Sequence, residues 1–165
     1  QSVTDAYAPL WADCFGQDMA KAKWSGGMDR TGRPVLGEVS GAWSPETPLR
    51  IAVDRRQALL EIDALVALML GVTADELCTI YRTQFAVLYG YDRNVSFYDA
   101  NGRLVPNSVL TVWRKKGSSM SLEERTATNA SGNTYVYELP FATLDREADM
   151  RQAYAHFSAL LAERT

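Results

Sequence analysis

Val53-Asp-Arg-Arg-Gln-Ala-Leu-Leu-Glu-Ile-Asp-Ala-Leu-Val-Ala-Leu-Met-Leu-Gly-Val-Thr-Ala-Asp-Glu-Leu77 is the stretch on which the fold turns. Leu59, Ile62, Leu65, Val66 and Met69 recur at steps of three and four, the period of one helix face, while Asp54, Arg55, Arg56, Glu61 and Asp63 mark its wetter side. This predicts a helix over 53–70. Gly71 can take the left-handed conformation that closes a helix, and Thr73-Ala-Asp-Glu76 is a capping box that opens the next one. The second helix runs from Ala74 to about Phe85, with Leu77, Ile80, Tyr81 and Phe85 facing the first across a very short connection.

Downstream the period changes. Asn101-Gly102, set between Ser96–Ala100 and Arg103–Val105, is a hairpin signal with positive φ expected at both turn positions. Thr111–Trp113 and Thr134–Leu139 read as further strands, Ser121-Leu-Glu-Glu124 as a second capping box on a short helix, and 129–133 as loop. A last helix is expected from Asp145 to Arg164, with Met150, Tyr154, Phe157, Leu160 and Leu161 on one side. Upstream, 5–15 can form a short helix around Leu10, Trp11, Cys14 and Phe15, whereas Lys21–Pro48 is broken by Gly26, Gly27, Gly32, Gly37, Gly41, Pro34, Pro45 and Pro48. Its Trp24, Trp43, Val35, Leu36 and Val39 need a surface to cover, in this chain or a neighbouring domain. The expectation is an α+β domain over 50–165, made of a helical hairpin, a small antiparallel sheet and a C-terminal helix, with 1–49 a loop-rich aromatic arm.

The 165 residues are 47% hydrophobic and 22% charged, enough for one core. A net charge of −3 argues against binding nucleic acid through bulk positive charge, so any such contact is a local patch. Cys14, Cys78 and the single His156 supply neither a zinc module nor a disulfide framework. Neither a span of eighteen apolar residues nor a basic-then-apolar leader is present, which reads as a soluble, cytoplasmic chain. The missing initiator Met suggests a piece of a longer polypeptide.

Catalytic signatures are lacking. Dinucleotide and P-loop glycine patterns, GxSxG and HExxH do not occur. No lysine stands two residues after an acid, and the six prolines never adjoin, which excludes the Asn/Asp-Pro-Pro-aromatic loop of adenine methylation. Three basic groups remain. Arg114-Lys115-Lys116 follows Trp113, with Arg103 in the preceding strand: either three cations gripping phosphates while the tryptophan stacks, or a solvated strand end with a core ring. Arg55 and Arg56, near Arg50, oppose the dipole at their helix start and so answer to an external anion or to nearby acids. Arg82, beside Tyr81, reaches base edges if its helix enters a groove, or is simply a surface arginine next to a core tyrosine. Trp24 and Trp43 on the arm are candidate interface residues.

Arg55-Arg-Gln-Ala-Leu-Leu-Glu-Ile-Asp-Ala-Leu-Val-Ala67, Leu70-Gly-Val-Thr-Ala-Asp-Glu-Leu77 and Ile80-Tyr-Arg-Thr-Gln-Phe-Ala-Val-Leu88 resemble the C-terminal region of large bacterial DNA adenine methyltransferases of restriction-modification and phage-defence systems. Tyr98-Asp-Ala-Asn-Gly-Arg103 and Asp145-Arg-Glu-Ala-Asp-Met-Arg-Gln-Ala-Tyr154 continue the likeness, which spans about residues 48 to 157. Ala86 departs from it where relatives often carry proline. The resemblance implies a parent enzyme that moves a methyl group from S-adenosylmethionine to adenine N6, with catalytic and cofactor motifs upstream. No catalytic or cofactor-binding residue is carried over, and no metal is implied. The expected role is a non-catalytic domain that helps bind or position duplex DNA. The alternative is an interaction module docking on the upstream methyltransferase domain or another defence-system subunit, with no membrane partner.

Overall fold

The computed structural model describes residues 4–19, 23–26 and 39–163. Among them are six helices and one two-stranded antiparallel sheet, an α+β arrangement. The helices are α1 (Ala8–Cys14), α2 (Ala52–Met69), α3 (Ala74–Gln84), α4 (Ala86–Asn94), α5 (Asn107–Lys116) and α6 (Arg146–Ala162), and the strands are β1 (Thr126–Thr128) and β2 (Thr134–Val136). Gly27, Gly32, Pro34, Val35, Leu36, Gly37 and Arg164 lie outside the described residues.

The predicted joint between the first two long helices forms as the sequence dictates. Gly71 adopts φ +71, its amide bonds to the Leu68 carbonyl, and the Val72 amide reaches back to Ala67, so the last carbonyls of α2 are satisfied. Thr73 Oγ1 accepts the Glu76 amide while Glu76 receives the Thr73 amide, completing the box that starts α3. Both helices lean on α6, and α2 packs chiefly against it. Leu60, Ala64, Cys78, Tyr81, Met150 and Ala153 form the first core. Alanines at 64 and 153, both fully covered, allow the close approach of α2 and α6.

The second core gathers Val105, Val109, Leu110, Met120, Tyr137 and Phe141. Trp113 lies against it with its ring 5.2 Å from Phe97 and 5.7 Å from Phe141. Above this core a hairpin over 97–105 is pinned by the buried Asp99 carboxylate, which accepts the amides of Asn101, Arg103 and Glu138. A single carboxylate thus satisfies three N–H groups that strand pairing would leave open.

Several expectations are corrected. Thr111–Trp113 is not a strand but part of α5, because Val109, Leu110 and Trp113 share one helical face, Pro106 sits at the N-cap and Gly117 closes the end at φ +57. Only Gly102 of the Asn-Gly pair has positive φ, at +75; the turn closes from Gly102 N to Asp99 O, and Asn101 keeps an ordinary backbone. The strand expected over Thr134–Leu139 is confined to Thr134–Val136, paired with β1 in the register Thr126↔Val136, Ala127↔Tyr135, Thr128↔Thr134. Phe85, at φ −115 and ψ 41, breaks the chain between α3 and α4, so the bend forms with Ala86 at the first position of α4, where proline is also favoured. The last helix starts where expected, with Asp145 accepting the Glu147 and Ala148 amides, and its Leu160 and Leu161 are exposed.

The largest correction concerns the two sides of α2. Asp54, Arg56, Gln57 and Glu61 are buried, while Leu59, Ile62, Val66 and Met69 are exposed. The helix is apolar on two faces, and the smaller one, with Leu60, Ala64 and Ala67, meets α6. The polar face lies under the arm: Ser25 donates its amide and hydroxyl to Glu61 Oε1 at 2.8 and 2.7 Å, and Gln57 Nε2 donates to the same oxygen at 2.8 Å.

Candidate functional site

Each basic residue singled out in the sequence has a definite setting. Arg114, Lys115 and Lys116 occupy the last turn of α5, where cations complement the negative helix end. Lys116 pairs with Glu124, whose carboxyl is held below its ordinary range chiefly by that hydrogen bond. Arg114 lies over the Phe97 ring, 5.9 Å from its centroid, with Nη2 3.5 Å from the Asn94 carbonyl oxygen. Lys115 is exposed. Trp113 is half-buried, its ring tilted against Phe97 and Phe141 at the edge of the second core. Arg103 stands 4.0 Å from the Asp99 carboxylate and over the Tyr135 ring.

The remaining cations belong to the helical half. Arg55 is exposed on α2. Arg56 is buried and donates Nη1 to Asp149 at 2.6 Å, while its Nε and Nη2 make no hydrogen bond. Of the two explanations for arginines at that helix start, Arg56 thus answers to an acid of its own chain. Arg82 is paired with Glu147 on α6 at 2.5 Å. Trp24 and Trp43 are half-buried in the arm, Trp24 directly before the Ser25 tether. The cations therefore divide between two halves of the molecule and do not form one cluster.

Between α3, α4 and the start of α6 lies a cavity of about 250 Å³ lined by Tyr81, Tyr89, Asp92, Arg93, Arg146 and neighbouring residues. Asp92 on its wall accepts Tyr81 Oη at 2.9 Å and Arg146 Nε at 2.5 Å. Burial, then the hydrogen bond to Asp92, pushes the Tyr81 hydroxyl far above the tyrosine range, so it is a fixed donor and unsuited to act as a base. Burial likewise raises the Cys78 thiol, which makes a poor nucleophile. Among the described residues no group of three or more histidine, cysteine, aspartate or glutamate side chains could hold a metal ion, and His156 packs edge-on to Phe157. No helix among them is long and apolar enough to cross a membrane.

The sequence reading missed two surfaces. On α2, Leu59, Ile62, Val66 and Met69 form an exposed stripe at steps of three, four and three, which Leu70 extends. On α4, Val87, Leu88, Tyr91 and Val95 form another. The signal for the first was available: α2 holds more large aliphatics than one face can bury. No family model, curated protein or solved structure matches the chain.

Proposed function

We propose that this chain is a non-catalytic accessory domain of a cytoplasmic bacterial DNA adenine methyltransferase system, and that it works by docking on the catalytic core. The sequence likeness to the C-terminal ends of such enzymes motivates the system. The exposed α2 stripe carries the docking role: Ile62 is 55% and Met69 83% exposed, on a helix whose opposite faces are already covered. Aliphatic side chains aligned this way gain free energy only by meeting another apolar surface. S-adenosylmethionine chemistry would belong to the core on which the domain sits.

Docking is favoured over gripping duplex DNA by the state of the cations. Arg56, Arg82, Arg103 and Lys116 each have a carboxylate within 4.0 Å, which lowers what they offer to phosphates. The test is affinity capture with the tagged chain from its natural source, beside duplex binding at low salt. The expected result is recovery of a methyltransferase polypeptide, lost with Ile62→Glu/Val66→Glu, and weak duplex binding that those changes do not alter. Failure of the unaltered chain to recover a methyltransferase overturns the proposal.

A further inference from the structure

The first residue of α6, Arg146, stands on the wall of the cavity between α3, α4 and α6 with its side chain only 10% exposed. Asp92 accepts its Nε, and the guanidinium lies over the Tyr81 ring, 5.6 Å from the centroid, so its direction is fixed from two sides. Neither Nη makes a hydrogen bond among the described residues, yet both touch water-accessible space, unlike the shut-in Nε and Nη2 of Arg56. Arg93 lines the same cavity from α4 and is exposed, its guanidinium 4.9 Å from the centre of the Tyr89 ring. It makes neither a hydrogen bond nor an ion pair among the described residues.

The acids of the wall are already engaged. Asp92 receives Tyr81 and Arg146 on one oxygen, Asp145 accepts the Glu147 and Ala148 amides, and Glu147 pairs with Arg82. Arg82, Arg93 and Arg146 therefore balance Asp92, Asp145 and Glu147 in charge, while the Nη fork of Arg146 and all of Arg93 remain as donors without acceptors, beside the positive end of α6. A wall of this kind takes one negative charge and has no counter-charge for a second. A planar guanidinium fork matches the two oxygens of a carboxylate, and Tyr81, Tyr89 and Leu144 offer apolar surface to the rest of such a molecule. The 250 Å³ equals the volume of about eight waters, room for a few carbons or a single ring.

We propose that this cavity binds a small organic monocarboxylate, its carboxylate held by the Nη fork of Arg146 and by Arg93, its body lying against Tyr81, Tyr89 and Leu144. Arg146 is the preset anchor, because its partners hold it in place before any ligand arrives, and Arg93 closes on the ligand from the solvent side. A phosphate dianion brings a second charge that the wall does not match. No residue of the α2 stripe lines the cavity, so the assignment is independent of the docking reading and of the methyltransferase system.

The probes are acetate, lactate and benzoate, each beside its neutral amide, with inorganic phosphate as the competing anion. Two-dimensional proton–nitrogen NMR of the full chain at neutral pH is expected to show saturable shifts of the Arg93, Thr143 and Leu144 amides with at least one carboxylate, and binding roughly tenfold weaker for the matching amide. Arg93→Gln is expected to weaken that binding by about tenfold with the far-ultraviolet circular dichroism unchanged. Arg146→Lys, which keeps the charge and loses the fork, should weaken it to a similar degree; if that variant does not fold, Arg93→Gln alone decides. The proposal is overturned if none of the three carboxylates gives a saturable shift, if acid and amide bind equally, or if Arg93→Gln leaves the affinity unchanged. Phosphate binding more tightly than every carboxylate would assign the cavity to phosphate and overturns it as well.

Discussion

Around Trp113 the chain packs rings and buries one carboxylate, Asp99, against backbone amides, whereas around Leu60 it buries the Arg56–Asp149 and Asp92–Arg146 pairs and leaves Ile62, Val66 and Met69 in water. The first arrangement is self-sufficient. Tilted contacts among Phe97, Trp113 and Phe141 each add about 0.5–1.5 kcal/mol beyond area burial, and the outer residues of α5, such as Asn107, Ser108 and Thr111, need no cover. The second arrangement holds its helices together through Leu60, Met150, Tyr81, two alanines and buried ions, while Ile62, Val66 and Met69 do nothing for the core they flank. The difference teaches where to look for function: a helix with much of its polar side covered and an apolar side bare presents a surface that its own fold does not use.

Removing one member of a buried ion pair strikes the helical half hardest. Asp92→Ala strands the Arg146 guanidinium, whose side chain is only 10% exposed, and is expected to cost about 3–5 kcal/mol, read from the midpoint of urea denaturation. Leu110→Ala is the matched blow to the aromatic half: a side chain 2% exposed is lost for about 2–5 kcal/mol, and near-ultraviolet dichroism from Trp113 should weaken. A smaller loss, about 1 kcal/mol, is expected for Thr73→Ala, which removes the oxygen that accepts the Glu76 amide.

Both halves bury tyrosines whose hydroxyls are raised by burial, Tyr81 in one and Tyr98 and Tyr137 in the other, and Tyr81 alone donates to a buried carboxylate. Tyr81 has its hydroxyl raised by burial first and by Asp92 second, so folding favours the protonated form. Its contribution is full below the ordinary tyrosine range and is lost as pH climbs from there toward the folded value. Tyr81→Phe should flatten that alkaline slope in stability measured against pH; an unchanged slope would assign it to other groups. The smallest effect on folding belongs to the bare stripe: Ile62→Glu should leave the denaturation midpoint within about 0.5 kcal/mol while lowering the tendency to associate in light scattering.

Much of the local structure is legible before any coordinates. Gly71, the Thr73/Glu76 and Ser121/Glu124 boxes and the Asp145 cap each form where their side-chain chemistry places them, because such motifs are satisfied within a few residues of chain. Which face of α2 turns inward is not local. Its two apolar faces compete, and the contest is settled by Ala153 on α6 and Ser25 on the arm, residues tens of positions away. Thr111-Val-Trp113 looks like a strand on β propensity alone, but Pro106 and Gly117 bracket a helix whose final turn welcomes Arg114, Lys115 and Lys116. Of the candidate site, the presence of basic groups is visible in the sequence. Their internal partners are not, since Asp99, Glu124, Asp149 and Glu147 meet them only in the fold.

The Ser25–Glu61 tether has a practical consequence. Trp24 precedes the residue that delivers two donors to Glu61, so its indole is positioned by that tether. With Trp11, Trp43 and Trp113 replaced by phenylalanine, the emission wavelength of Trp24 becomes an optical gauge of that tether, and Glu61→Ala, which removes the acceptor of both Ser25 donors, should move it toward the red of a solvated indole without any label being attached.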